Sequence, residues 1–383
     1  MKQVRPYFIT DSLLQLVDQL DGHAFFVGGC VRDFLMHRPI HDIDMATPLT
    51  PQQVQEKLAD TSIRIIPTGI AHGTLTLLLQ DGHTVEITSY RQDIRTDGRH
   101  AVVQFGTDMK SDAMRRDLTI NALYMDINGQ IFDYTDGRRD LKQKYVRFIG
   151  DADTRIREDA LRLLRFYRFY GLFARATPDK SALHACRKHK KLLQNISAER
   201  IKDEFFKILS LPAPYKTLHL MQQGGILHQI FTYPVDMNDL RHLIAQEKRA
   251  GKQASALFRA WVLSKGQPLP FQLTRAEKNQ IQAWDKAVKE PLQTYHDFQK
   301  ILFLYGQNTL ADMILMKKKK LNFTAFQYLT HLPVPKCPFT KTQIKDYFHL
   351  TGSDISKTYD QAVDIWIKNG FIKKDVVFSL ISQ

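Results

Sequence analysis

The sequence predicts an α+β chain, with a mixed head of strands and helices over the first 148 residues and helices from there to the end. Three observations predict it. Short strand-like runs alternate with helical patterns only up to about residue 150. Beyond that point apolar residues recur at helical spacing and strand signals fade. Charge divides at the same place. Residues 1–150 hold 17 Lys and Arg against 19 Asp and Glu, a net −2, while the remainder holds 37 against 21, a net +16.

Taken in order, Asp11 is placed to cap a helix over residues 12–20. Residues 24–27 form an apolar run stopped by Gly28-Gly29. Residues 75–79 and 84–90 read as strands joined by the turn Gln80-Asp81-Gly82-His83, and residues 103–105 and 123–127 as shorter strands. A turn signal at Asp133-Tyr134-Thr135-Asp136-Gly137 precedes the passage out of the head. Residues 154–171, 198–209, 216–223 and 239–249 carry helical spacing. Pro-containing stretches at 211–214, 267–270 and 332–338 separate helical groups. The expected partition is a head at 1–148, a helical neck at 149–212, a helical body at 213–310 and a helical tail at 311–383.

Composition excludes several classes. At 383 residues, 43% hydrophobic and 25% charged, the chain is globular with material for several cores. It has no apolar run of about 18 residues, so no transmembrane helix is expected. The first residues lack the basic-then-apolar layout of a secretion signal. Cys30, Cys186 and Cys337 are far apart and odd in number, which points to no disulfide framework and to the cytoplasm. The basic remainder suits a phosphate backbone, although a solvated basic surface has the same composition.

Chemistry concentrates in ordered motifs. Gly28-Gly29-Cys30-Val31-Arg32-Asp33 follows the first apolar run, where glycines let backbone N–H groups approach phosphates at a helix start. Cys30 is read as a small packing residue. Asp42 and Asp44, at i and i+2 of a strand, project from one face, and two converging carboxylates call for a hard cation. In residues 84–90, alternation puts Thr84, Glu86 and Thr88 on one face, so Glu86 adds a third acid on a neighbouring strand and completes a two-metal site. Arg115-Arg116-Asp117-Leu118-Thr119-Ile120-Asn121-Ala122 offers arginines to phosphates, and on a helix Asp117 and Asn121 share a face where both can bond a ribose. Glu158-Asp159-Ala160-Leu161-Arg162 puts an acceptor and a bidentate donor three apart on a helix, a pair that can match the base edge of C or A. Arg165 and Arg168 continue that run. Each motif alone has a plainer reading as a tight turn, an exposed strand residue or a surface ion pair.

Together, the order Gly-Gly-x-Val-Arg-Asp, Asp-x-Asp, Val-Glu-Ile-Thr, Arg-Arg-Asp-x-Thr-Ile-Asn-Ala, Asp-Gly, Glu-Asp-x-x-Arg and Glu199-Arg200-Ile201 resembles the class II CCA-adding enzymes. These are polymerase-β-type nucleotidyltransferases that share ancestry with bacterial poly(A) polymerases. The resemblance covers residues 20–210. It implies two Mg2+ ions at Asp42 and Asp44, with Glu86 as the third catalytic acid. It implies nucleotide binding by Gly28, Gly29, Arg32, Arg116, Asp117, Asn121, Glu158, Asp159, Arg162, Arg165 and Arg168. Asp159 and Arg162 look like the amino-acid template for the incoming base, oriented by Glu158 and supported by a helix over 197–209. Residues 91–100, with Arg91, Asp93, Asp97, Gly98 and Arg99, resemble the flexible loop needed for adding the final A. The implied partners are tRNA, ATP and CTP, with no membrane; a homodimer is left open.

The chain departs from the family in two places. Leu118 stands where the family has Phe, and residues 343–374 keep only fragments of the usual Gly-rich tail, such as Gly352-Ser353-Asp354-Ile355. A poly(A) polymerase shares the motifs but is typically longer. An appended phosphohydrolase would need several His and Asp ligands, and His296-Asp297, read as surface, has no such set. A non-catalytic RNA-binding protein is disfavoured by the intact acids. Lys317 to Lys320 can grip RNA or form a solvated helix face.

Overall fold

The structure, a computed structural model, describes residues 6–70, 73–96, 101–105, 108–173, 177–317 and 322–382. It forms two compact units, Met1–Pro234 and Val235–Gln383.

The first unit opens with α1 (Asp11–Gln19), β1 (Phe25–Val27), α2 (Gly29–Leu35), β2 (Ile43–Thr47), α3 (Pro51–Leu58), β3 (Arg64–Gly69), β4 (Thr74–Leu78) and β5 (Thr84–Ser89). It continues with β6 (Arg91–Thr96), β7 (Ala101–Phe105), α4 (Met109–Met114), β8 (Leu123–Met125), β9 (Ile131–Asp133) and α5 (Gly137–Gln143). Seven strands make one sheet in the order β3-β4-β5-β2-β1-β8-β9, and β6 pairs with β7 in a separate hairpin. The β2–β5 pairing is parallel and sets Asp44 beside Glu86. Alternation on β5 is as the pattern predicts, with Val85 and Ile87 buried and Glu86 exposed. Under the sheet lies a core that includes Val27, Ala46, Ala122, Tyr124 and Ile149.

Three local expectations change, and one strand is new. Thr10, not Asp11, caps α1, its side chain accepting the Leu13 N–H at 3.3 Å. Residues 91–96 are strand rather than loop, because pairing with β7 satisfies their backbone. Strand β3 carries Pro67 and an irregularity between Ile66 and Gly69, which is tolerated at a sheet edge and hides the strand from pattern reading. The run 154–171 is two helices, α6 (Ala152–Glu158) and α7 (Leu161–Leu172), with Asp159 extended between them at φ −152° and ψ 108°.

The first unit closes with α8 (Lys180–His189), α9 (Ala198–Leu209), α10 (Tyr215–Gln223) and α11 (Leu227–Ile230). Helix α7 packs on α9 and α10. Gly171 permits this, since a Cβ there would stand 2.4 Å from Leu211 and 2.5 Å from Thr217. Helices α10 and α11 therefore pack with the first unit, where the sequence reading begins the body at residue 213.

The second unit is helical throughout its described residues: α12 (Met237–Ala250), α13 (Ala256–Leu263), α14 (Arg275–Ala287), α15 (Tyr295–Lys317, kinked at Gly306), α16 (Phe323–Thr330), α17 (Lys341–Phe348), α18 (Asp354–Lys368) and α19 (Lys374–Ile381). Trp366, Phe339 and Phe378 centre a core for α17 to α19, and a buried ion pair joins Arg259 to Glu247. Asp297 is buried rather than on the surface, because its carboxylate accepts the Gln293 and Thr294 N–H groups, each at 2.8 Å, at the start of α15.

Candidate active site

Strand β1 delivers the chain to Gly28, which takes φ 72° and ψ −117° before α2 begins. That region favours glycine. Its N–H donates to the Leu123 carbonyl at 3.0 Å, tying the turn to β8. From α2, Arg32 forks onto Asp33 at 2.8 and 3.0 Å and donates to Asn121 Oδ1 at 2.7 Å. Cys30 is buried behind them, its thiol donating to the carbonyls of Val27 and Asp44, and burial pushes its pKa up to about 11. It is a packing residue.

Asp44 lies on β2, Asp42 just before its first residue, and Glu86 opposite Asp44 on β5. Burial first, then the charges of Glu86 and Asp42, raise the Asp44 carboxyl above its ordinary range, while Arg116 and Arg32 oppose them. Crowded hard oxygen donors of this kind are what a divalent cation relieves. Among the described residues no group of three or more acids, histidines or cysteines is gathered as a ready metal cage. Any ion at Asp42 and Asp44 would therefore complete its shell with water or substrate phosphate, which is the usual habit of Mg2+.

The Arg-Arg-Asp motif is organised by a residue outside the sequence reading. Asp112, on α4 and 1% exposed, accepts from Arg115 at 2.6 and 2.9 Å, from Arg116 at 3.0 Å, from Tyr124 and from the Arg91 N–H at 3.3 Å. Burial alone would raise its pKa, but Arg116 and Arg115 hold it down at about 2. A carboxylate three residues before a basic pair looks in sequence like a helix-surface acid, so no local signal marks it. Asp117 and Asn121 do meet, at 3.5 Å, but not on an α-helix, since Thr119–Asn121 is a single 3-10 turn. Asp117 is buried, and although desolvation opposes its charge, the Arg165 guanidinium keeps its pKa near 2.

The base-reading candidates are also arranged differently from a shared helix face. Asp159, in the break between α6 and α7, accepts from Arg200 of α9 at 2.8 Å. Arg162 pairs instead with Glu158 and donates to the Arg115 carbonyl at 3.3 Å. Glu158 is further held by Arg155 at 2.9 Å. Further along α7, Arg165 and Arg168 stand 5.7 and 4.4 Å from the ring centre of Phe169, and Arg32 joins them from α2 at 4.9 Å. Arg168 lies 2.9 Å from buried Glu204, and burial lowers its pKa to about 10.

These side chains surround one cleft of about 700 Å3. It is lined by Gly28, Gly29, Arg32, Asp42, Asp44, Arg116, Asp117, Asn121, Asp159, Arg162, Arg165 and Arg168, all read from sequence. Arg115, offered to phosphates with its motif, lines it as well, and so do Phe169, Arg200 and Lys207, which were given no role there. Glu86 flanks Asp44 without lining the cleft, and Glu158 acts behind Arg162. Arg91 and Asp93 sit on β6, whereas Asp97, Gly98 and Arg99 lie outside the described residues.

Residues 24–147 match the poly(A) polymerase head domain, and residues 177–235 match a probable RNA and SrmB-binding site of polymerase A. The head alone does not separate poly(A) from CCA synthesis. A longer match does: the zebrafish (Danio rerio) mitochondrial CCA tRNA nucleotidyltransferase 1 is 32% identical, aligned over 98% of this chain and 91% of that protein. The chain belongs to the CCA-adding tRNA nucleotidyltransferases. A CCA-adding enzyme of Lactobacillus delbrueckii subsp. bulgaricus is 42% identical across 51% of the chain and 48% of that enzyme. The fold matches the Bacillus stearothermophilus CCA-adding enzyme in complex with CTP, with TM-score 0.74, 23% identity and coverage of 94% of this chain and 92% of that one. It also matches the Thermotoga maritima CCA-adding enzyme complexed with tRNA-CCA, with TM-score 0.66, 18% identity and coverage of 98% and 96%. As a CCA-adding nucleotidyltransferase the chain is an enzyme, and among its described residues no helix is long and apolar enough to cross a membrane.

Proposed function

We propose that this chain adds or repairs the 3′-terminal CCA of tRNA from CTP and ATP, without a nucleic-acid template. The observation that carries the reading is one cleft that holds a carboxylate pair, a glycine turn, a bank of arginines and a candidate base-edge pair. The tRNA 3′-hydroxyl attacks the α-phosphate, a new O–P bond forms and the bond to pyrophosphate breaks, twice with CTP and once with ATP. Asp42 and Asp44, flanked by Glu86, would hold two Mg2+ ions, which when bound supply activation of the hydroxyl and charge for the leaving pyrophosphate. The Gly28-Gly29 turn leaves room for phosphate oxygens. Arg32 and Arg116 hold the triphosphate, and Asp117 and Asn121 orient the ribose. Arg165 and Arg168 add positive charge deeper in the cleft.

Asp159 and Arg162 meet the base. A carboxylate accepts from the amino group of C or A, and a guanidinium donates to the ring nitrogen. Uracil and guanine reverse those positions. Residues 91–100 act in the switch to A, the neck at 149–212 reads the base, and the tail at 311–383 holds tRNA. The three cysteines, all unpaired thiols, suit work in the reducing cytoplasm. The deciding experiment incubates the protein with tRNA ending before CCA and supplies CTP, ATP, UTP and GTP singly and together. Two additions with CTP alone and a third when ATP joins are expected. Extension by ATP alone into a long tail would refute the reading.

A further inference from the structure

A second cavity, of about 960 Å3, opens in the first unit and has no place in the chemistry above. It lies where the end of α2 meets α5 and the end of α7. Five cations line it, Arg38, Arg138, Arg139, Lys142 and Lys144, with His37 beside them and no acid among its described lining residues. Leu141, Leu172 and Phe173 supply an apolar wall. Residues 1–150 carry a net −2, so this concentration of cations is not a consequence of composition.

The cavity is held by specific structure. Arg38 is fixed by a 3.2 Å bond to the Leu172 carbonyl. His37 and Lys144, on its walls, adopt the left-handed backbone that non-glycine residues rarely take, at φ 53° and 56°. The remaining charges are weakly answered. The Arg139–Asp136 pair is 3.6 Å long, with both side chains more than 60% exposed, a geometry that solvent largely screens.

The cavity also lies in register with the cleft. Leu172 lines both. Helix α2 begins at Gly29 in the cleft and ends at Leu35 beside the second cavity, and seven residues of helix span about 10 Å. At about 3.4 Å per stacked phosphate, roughly three nucleotides cover that distance.

We infer that this basic cavity grips the phosphodiester backbone of the RNA strand being extended, a few nucleotides behind its 3′ end. The inference rests on the proposed tRNA substrate. Cations with no acid among the described lining residues, and only the long Arg139–Asp136 pair beside them, suit a phosphate chain, and the apolar wall suits the face of a sugar or base.

The test is the full-length variant Arg138→Ala/Arg139→Ala/Lys142→Ala, whose three side chains are exposed. Filter binding of tRNA lacking CCA reads the cavity without catalysis. Affinity at 0.15 M salt should fall about tenfold or more, and the slope of log affinity against log salt should shrink by about 2–3, as loss of three phosphate contacts requires. In turnover, KM for tRNA should rise while kcat and KM for CTP stay at the parent's values. Binding within twofold of the parent, or a KM for CTP that rises in parallel, overturns the inference. Equilibrium binding of labelled CTP separates the other source of phosphate: two CTP per chain in the parent and one in the variant would assign the cavity to free nucleotide and overturn it. A parent that binds tRNA but adds no CCA would instead sink the proposed function, because the binding arm stands apart from it.

Discussion

Asp112→Asn tests the organisation of the cleft most directly. The substitution keeps size and one acceptor but removes a charge that is 1% exposed and faces Arg115, Arg116 and Tyr124. In the folded protein the carboxyl is lowered from 3.8 to about 2, which corresponds to about 2.4 kcal/mol of stability at neutral pH at about 1.36 kcal/mol per pH unit. That figure already contains the attraction of the two guanidinium groups, and the usual cost of breaking a buried pair, about 3–5 kcal/mol, marks the upper end. The variant should therefore be about 2–5 kcal/mol less stable at pH 7, a fall of about 5–15 °C in melting temperature for a unit of this size. The sign is fixed by the lowered pKa. The Asp112 contribution is complete above about pH 4 and is lost as pH falls towards 2, so parent and variant should converge in acid. Because Arg116 lines the cleft, kcat/KM for CTP should also fall about 10- to 100-fold, the worth of one charge-assisted hydrogen bond. Urea denaturation from pH 7 down to pH 2.5, beside single-nucleotide incorporation, checks both. A variant within about 0.5 kcal/mol of the parent at every pH, well short of a typical buried charge pair, would refute the argument.

Other outcomes are expected. Asp42→Ala and Asp44→Ala should abolish nucleotide addition and leave tRNA retention on filters near the parent's level; near-normal addition in either would end the metal assignment. Asp159→Ala and Arg162→Ala should admit UTP and GTP at a reduced overall rate, since mispairing costs about 1–3 kcal/mol per contact; incorporation assays showing undiminished rejection would place base reading elsewhere. Gly28→Ala should cost about 1–3 kcal/mol, because φ 72° with ψ −117° strains any Cβ, while the nearest neighbours, Asn121 O at 3.6 Å and an Arg116 nitrogen at 3.7 Å, leave room for a methyl. A melting curve unchanged by that substitution would contradict the strain.

The sequence made the carboxylates legible because their signal is local. An i, i+2 pair and a period-2 strand fix which face each acid takes, and the structure places Glu86 beside Asp44 as a result. It could not show that β2 and β5 pair in parallel, since that depends on residues 42 positions apart, such as Asp44 and Glu86. Helical spacing carried 198–209 but joined α6 to α7 wrongly, because Glu158-Asp159-Ala160-Leu161 contains no helix breaker. Asp159 leaves the helix to accept the Leu161 N–H at 3.1 Å at the start of α7 and a bond from Arg200, 41 positions on. The role of Asp112 and the pairing of Arg200 with Asp159 were missed for a common reason: each is identified by its partners, and deciding partners such as Tyr124 and Asp159 come from other elements. The basic cavity was invisible likewise, being assembled from the ends of α2 and α7 and the length of α5, which lie far apart in the chain.

The break at Asp159 also bears on how such a site can change over generations. Asp159 is anchored to α9 through Arg200, and Arg162 to α6 through Glu158. Had both stood on one unbroken helix, any shift in one would have dragged the other with it. Asp159 still touches α7 through the Leu161 N–H at 3.1 Å, but its ion pair and that of Arg162 have different partners, so a substitution at Arg200 would act mainly on the acceptor and one at Glu158 mainly on the donor. If Asp159 and Arg162 read the base as proposed, the nucleotide alphabet of the cleft rests on two separately inherited supports, and drift can explore one while selection holds the other fixed.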